Sequence, residues 1–134
     1  MDTKFIALAL SILAAPLAGA DLPAGIQAKF IKIIGASGGA NAVACKDSTM
    51  AGEIKAAGFA VDGASKVAYA GSEGDLAAFK GKLIIVPKLE WLPKGGSIAL
   101  VEEGGKPAIY LHMGNIAASG VPLSDTILKI GKKL

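Results

Sequence analysis

The sequence predicts an α/β fold: a three-layer open sheet of about five strands, the first three parallel, ending in an antiparallel hairpin and a C-terminal helix. Three observations predict it. Apolar strand-like runs at 42–45, 66–69 and 83–86 alternate with short helix patterns, the spacing of strand–helix–strand units. The run Leu83-Ile84-Ile85-Val86 is apolar throughout, which suits a central strand covered on both faces. Gly104-Gly105 separates two strand patterns, 98–103 and 106–111, and two glycines permit the positive φ angles of a type I′ turn.

The chain starts with an export pattern over residues 1–20. Lys4 precedes residues 5–15, apolar except for Ser11, and Pro16 breaks the run. Ala18-Gly19-Ala20 fits the small-residue cleavage rule, with cleavage after Ala20 leaving Asp21 first. These eleven residues fall short of the ~20 needed to span a bilayer, so the cleaved chain is expected not to span a membrane. Removing the first 20 of 134 residues leaves 114 for one domain, 21–134.

The first helix is expected where Ile26, Phe30, Ile33 and Ile34 recur at i, i+4, i+7 and i+8, with residues 35–39 as the loop that ends it. The strand Ala42-Val43-Ala44-Cys45 follows. Asp47, Ser48 and Thr49 can each cap the next helix, whose inner face is Met50, Ile54 and Ala57 and whose stop is Gly58. The second strand, 66–69, leads through Gly71-Ser72 into a short helix with Leu76 and Phe79 on one face. After the third strand, the eleven residues 87–97 have room for one helical turn. Centring the hairpin on Gly104-Gly105 pairs Val101 with Ala108 and Ala99 with Tyr110. Pro107 lacks an N–H and must sit at an edge or face outward. Residues 113–120 read as an irregular helical turn. Ser124 caps a last helix carrying Leu123, Ile127, Ile130 and Leu134 on one face, with Lys129, Lys132 and Lys133 at the negative end of its dipole.

Composition narrows the function classes. Hydrophobic residues make up 52% and charged residues 19%, which argues against disorder. All 14 basic residues are lysine, so the bidentate arginine fork for phosphate is missing. The net charge of +3 is scattered, without the basic stripe that grips nucleic acid. One cysteine and one histidine exclude an intramolecular disulfide, a zinc finger and a covalently attached haem. No cofactor or metal site is expected.

Three places carry candidate chemistry. Lys46, Asp47, Ser48 and Thr49, with Gly71 and Ser72, lie where parallel strands end, the usual ligand crevice of an open α/β sheet. Their backbone N–H groups can hold a small anion or simply cap helices. Cys45, beside Lys46 and a helix start, has neighbours that lower a thiol pKa, and His112 is the only base of its kind; a buried structural cysteine is the commoner case. An unpaired cysteine in an exported chain can also link a homodimer. Trp91, the only tryptophan, lies between Pro87 and Pro93 beside Lys88, and either anchors a partner surface or covers the core edge. No nucleophile–base set or carboxylate pair emerges.

From about Ile26 to Leu134 the chain resembles the YfiR-like (HmsC-like) periplasmic proteins. The resemblance rests on Ala28-Lys29-Phe30-Ile31-Lys32, on the strand-to-capped-helix stretch 43–49, and on the hairpin Ser97-Ile98-Ala99-Leu100-Val101-Glu102-Glu103-Gly104-Gly105-Lys106-Pro107. It continues in 110–115, ending in Asn115, and in Ala118-Ser119-Gly120-Val121-Pro122-Leu123-Ser124-Asp125. The chain departs from many relatives in having Cys45 alone. The resemblance implies a non-enzymatic periplasmic regulator that binds the outward-facing domain of an inner-membrane signalling protein, in the best-known members a diguanylate cyclase. The alternatives are a periplasmic small-molecule binder using the crevice and a thiol enzyme built on Cys45.

Overall fold

A computed structural model describes residues 21–134. The expected leader, 1–20, and its cleavage residue Ala20 lie outside the described residues.

The fold is α/β, with a mixed sheet of seven strands. Helix α1 (Ala24–Ser37) leads into β1 (Ala42–Cys45), α2 (Ser48–Ala56), β2 (Ala60–Val61) and β3 (Val67–Tyr69). Then come α3 (Glu73–Ala78), β4 (Leu83–Val86), a 3₁₀ turn (Leu89–Trp91), β5 (Ile98–Glu103) and β6 (Lys106–Leu111). Helices α4 (Met113–Ser119) and α5 (Asp125–Ile130) and strand β7 (Lys132–Lys133) close the chain. The sheet order is β2-β1-β3-β4-β5-β6-β7. All neighbours pair in parallel except β5 and β6.

The hairpin has the expected register, Val101 opposite Ala108 and Ala99 opposite Tyr110. Gly104 and Gly105 take φ of 59° and 80°, the left-handed pair that a type I′ turn needs. Pro107 pairs with Glu102 where β6 is the sheet edge, since β7 reaches only Tyr110 and Leu111.

Strand residues alternate between two cores, as a period of two demands. Val43, Val67, Tyr69, Leu83, Ile85, Ile98, Leu100, Ile109 and Leu111 face one core, with side chains from α1, α2, α4 and α5. Ala44, Ala68, Ile84, Val86, Ala99 and Val101 face the other, with Leu76 and Phe79 after α3's start and Trp91 and Leu92 of the 3₁₀ segment. The strand order reverses between β1 and β3, so right-handed crossovers send α2 and α3 to opposite faces.

Four expectations need correction. The sheet has seven strands rather than about five, because two-residue edge strands β2 and β7 join it. The last helix stops at Ile130 instead of running to Leu134. A Cβ on Gly131 would lie 2.6 Å from Leu111, so the chain passes close to β6 and pairs with it. Lys132 and Lys133 are therefore strand residues and Lys129 lies in the last helical turn, but the Lys133 ammonium still reaches the negative end of the helix, donating to the Leu128 carbonyl at 2.8 Å. Residues 35–37 are helical: Gly35 lies inside α1, where a Cβ would sit 2.9 Å from the Phe59 ring. Finally, α1 buries Gln27, Ala28, Ile31, Ile34 and Gly35, while Ile26 and Ile33 are 37% and 52% exposed.

Candidate functional site

The crevice at the β1–β3 switch point is closed by its own residues. Asp47 Oδ1 accepts from the Met50 N–H at 2.9 Å and caps α2. Ser72 Oγ accepts from the Asp75 N–H, and Asp75 Oδ2 accepts from the Gly71 N–H at 3.3 Å. Three N–H groups of the crevice, those of Met50, Gly71 and Asp75, thus already have carboxylate or hydroxyl acceptors. A Cβ on Gly71 would meet Asp47 Oδ2 at 2.8 Å, so the glycine makes room for that carboxylate. Lys46 points toward the Phe79 ring, 5.8 Å from its centroid; Ser48 and Thr49 are exposed in the first turn of α2. The surroundings are acidic rather than basic, which suits helix capping and opposes an anion.

Cys45 ends β1 half-buried, its Sγ donating to the Asp47 carbonyl at 3.4 Å. Burial pushes the thiol up to about 11, and the nearby Asp47 and Asp75 carboxylates push the same way against a backbone hydrogen bond at Asp47. His112 follows β6, which runs antiparallel to β5 and brings it beside Ser97, at the end of the strands opposite to Cys45. There its Nδ1 accepts from the Asn115 N–H and caps α4. Cys45 and His112 are not brought together, and thiolate chemistry has neither a base nor a lowered pKa.

Of the two roles open to Trp91, the structure realises the core-edge one. Its ring is 8% exposed among Leu92, Val86 and Leu76 of the second core. Lys88 lies over the ring at 5.9 Å and pairs with Asp21 at 3.4 Å.

Two features that the sequence does not mark as functional offer better surfaces. The first is a cavity of about 540 Å³ on the second sheet face, toward the N-terminal ends of β4 and β5. That face is covered by the six-residue α3 and a three-residue 3₁₀ turn, roughly 9 Å and 6 Å long, so sheet is left open beside α4. Ile84 and Leu76 form the apolar base, flanked by Ala77 and Ala118. Lys80, Lys82 and Lys94 border it with Glu73, and Asn115 and Ser119 of α4 complete the wall. Asn115 Nδ2 donates to the carbonyls of Leu92 and Gly96, 3.0 and 2.9 Å away, and so fastens α4 to the loop before β5. These residues span 73–119 with no periodic pattern, so no local signal marks them.

The second is the outward face of α1. Ile26, Phe30 and Ile33 follow helical spacing, but the core takes the other side of the helix and leaves the two isoleucines in water beside exposed Lys29 and Lys32.

Among the described residues no group of acidic, histidine or cysteine side chains could hold a metal, and no helix is long and apolar enough to cross a membrane. Comparison with known proteins finds no matching family model, no matching curated protein and no matching solved structure.

Proposed function

We propose that the chain is an exported, periplasmic regulatory binding protein that docks through α1 onto the outward-facing domain of an inner-membrane signalling protein, by resemblance a diguanylate cyclase. It acts by binding one state of that partner more tightly than another. The observation that carries this reading is the pair of isoleucines left on the solvent side of α1, Ile26 and Ile33, the latter 52% exposed, with half-buried Phe30 packed against the core between them. Positions i and i+7 lie on one face of a helix, a spacing by which a helix presents anchors to a groove. The test is calorimetric titration with the periplasmic domain of the cyclase or sensor encoded beside this gene. Ile33→Asp should weaken binding roughly thirtyfold, the loss of an anchor of ~2 kcal/mol, and leave Tm unchanged because the side chain is outside the core. Lys106→Asp at the hairpin tip should bind like wild type. Wild-type binding to Ile33→Asp would remove α1 as the docking face.

A second reading, a periplasmic small-molecule binder, is favoured by the preformed cavity. Its size falls within the ~300–1,000 Å³ of ordinary ligand pockets. Soaking or titrating small ligands against Ala118→Trp, which fills the cavity from α4, tests it.

A further inference from the structure

The cavity on the second sheet face has a chemical bias that none of the readings above assigns, and from it we infer the ligand class: a small amphipathic anion, an apolar body carrying one carboxylate or comparable acidic group. The inference rests on the small-molecule reading of that cavity and is independent of docking through α1, which packs on the opposite face.

The base selects an apolar body. Ile84 and Leu76 are almost wholly buried by the protein, yet they border the empty volume, and Ala77 and Ala118 flank them without side chains long enough to fill it. Water over that apolar base has few polar partners and is readily displaced by hydrocarbon. The border selects a negative charge. Three lysines, Lys80, Lys82 and Lys94, border the cavity against a single acidic residue, Glu73. Glu73 is already paired with Lys94 at 3.0 Å. Lys82 is held in place by neutral groups: its Nζ donates to the Ser65 carbonyl at 2.6 Å and to the Gly63 carbonyl at 3.4 Å. Both fix the ammonium without neutralising it, and among the described residues no carboxylate pairs with Lys82 or Lys80. The positive surplus therefore stands at the border of an apolar space. An anion with a hydrocarbon tail satisfies both; an inorganic anion leaves the base empty, and a neutral hydrocarbon leaves the charge unmatched. Lysine binds as a point charge rather than a fork, so the selection is for charge and not for a particular oxyanion geometry.

The experiment uses the exported chain with three probes: octanoate, 1-octanol and inorganic phosphate, followed by amide and methyl chemical shifts and by calorimetry. Octanoate should bind saturably and shift Leu76, Ile84 and Ala118. It should bind about tenfold or more tightly than 1-octanol, a preference that added salt diminishes. Phosphate should leave those signals unmoved. Lys82→Gln and Lys80→Gln together should erase the preference for octanoate while keeping 1-octanol binding. Ala118→Trp should abolish binding of both. Octanoate binding no tighter than 1-octanol, with both lost in Ala118→Trp, would overturn the anion and spare the cavity. Octanoate binding that survives Ala118→Trp unchanged, or no binding of either octyl probe, would overturn the inference and the cavity reading together.

Discussion

At Cys45 two local influences visible in the sequence, Lys46 and the start of α2, favour a reactive thiolate, and burial outweighs them. The folded thiol is pushed up to about 11 from its ordinary 9.0, first by desolvation and then by the Asp47 and Asp75 carboxylates. A shift of that size leaves roughly a hundredfold fewer thiolates at neutral pH. Iodoacetamide should therefore alkylate native Cys45 about a hundredfold more slowly at pH 7.5 than the chain in denaturant; equal rates would refute this. The folded state holds the proton more tightly than the unfolded one. The resulting stabilisation is complete below pH 9 and is lost as pH rises toward about 11.

On the scale of elements, the far edge of the sheet depends on a cluster that joins β5, β6 and β7. Lys132 Nζ donates to Glu103 Oε1 at 2.8 Å, the Tyr110 hydroxyl donates to Glu103 Oε2, and the ammonium lies 5.2 Å over the Tyr110 ring. The bonds from Lys132, then Tyr110, hold Glu103 below the usual carboxylate range, and Glu103 in turn raises Tyr110 and Lys132. A carboxylate with a lowered folded pKa stabilises above its unfolded value and loses that contribution as pH falls. Strand β7, with two paired residues, should thus loosen early on acidification. In Glu103→Gln the Tyr110 phenol should titrate closer to its ordinary value, followed by phenolate absorbance against a Tyr110→Phe control, and the β7 amides should exchange faster. An unshifted Tyr110 titration in that variant would show that Glu103 does not govern the edge.

Over the whole molecule, one sheet is shared by two cores of unequal make-up. The α1–α2 side is built mainly from branched aliphatics, and the α3 side mixes alanines with Leu76, Ile84, Val86, Leu92 and Val101 and is closed by Phe79 and Trp91. Because the same strands contribute to both, the two sides should unfold together. Trp91→Ala should cost about 3–5 kcal/mol and Ile54→Ala, on the other side, about 2–5 kcal/mol. Each should lower Tm by roughly 10 °C within a single calorimetric transition. Two separated transitions in either variant would show that the cores are independent. Loss of partner binding in Trp91→Ala would then follow from unfolding, whereas Ile33→Asp tests the surface alone.

What the sequence determined by itself is the local part of the fold. The runs at β1, β3 and β4 are apolar enough to be strands wherever they lie, Gly104-Gly105 imposes both the turn and the hairpin register, and Asp47 and Ser72 cap the helices that follow them. Tertiary structure decided everything that depends on a neighbour. Strands β2 and β7 are two residues long, too short for a period, and exist because β1 and β6 offer unpaired edges. Helix α1 has isoleucines on several sides, so its inward face could not be phased until the sheet chose Ile31 and Ile34 over Ile26 and Ile33. Trp91 suits a surface or a core equally by its chemistry, and the shortness of α3 drew it inward. The cavity gathers Glu73, Lys80, Lys82, Lys94 and Asn115 from four separate segments. Its charge and shape arise only when α3, β4, the loop before β5 and α4 meet, because convergence in space leaves no trace in local spacing.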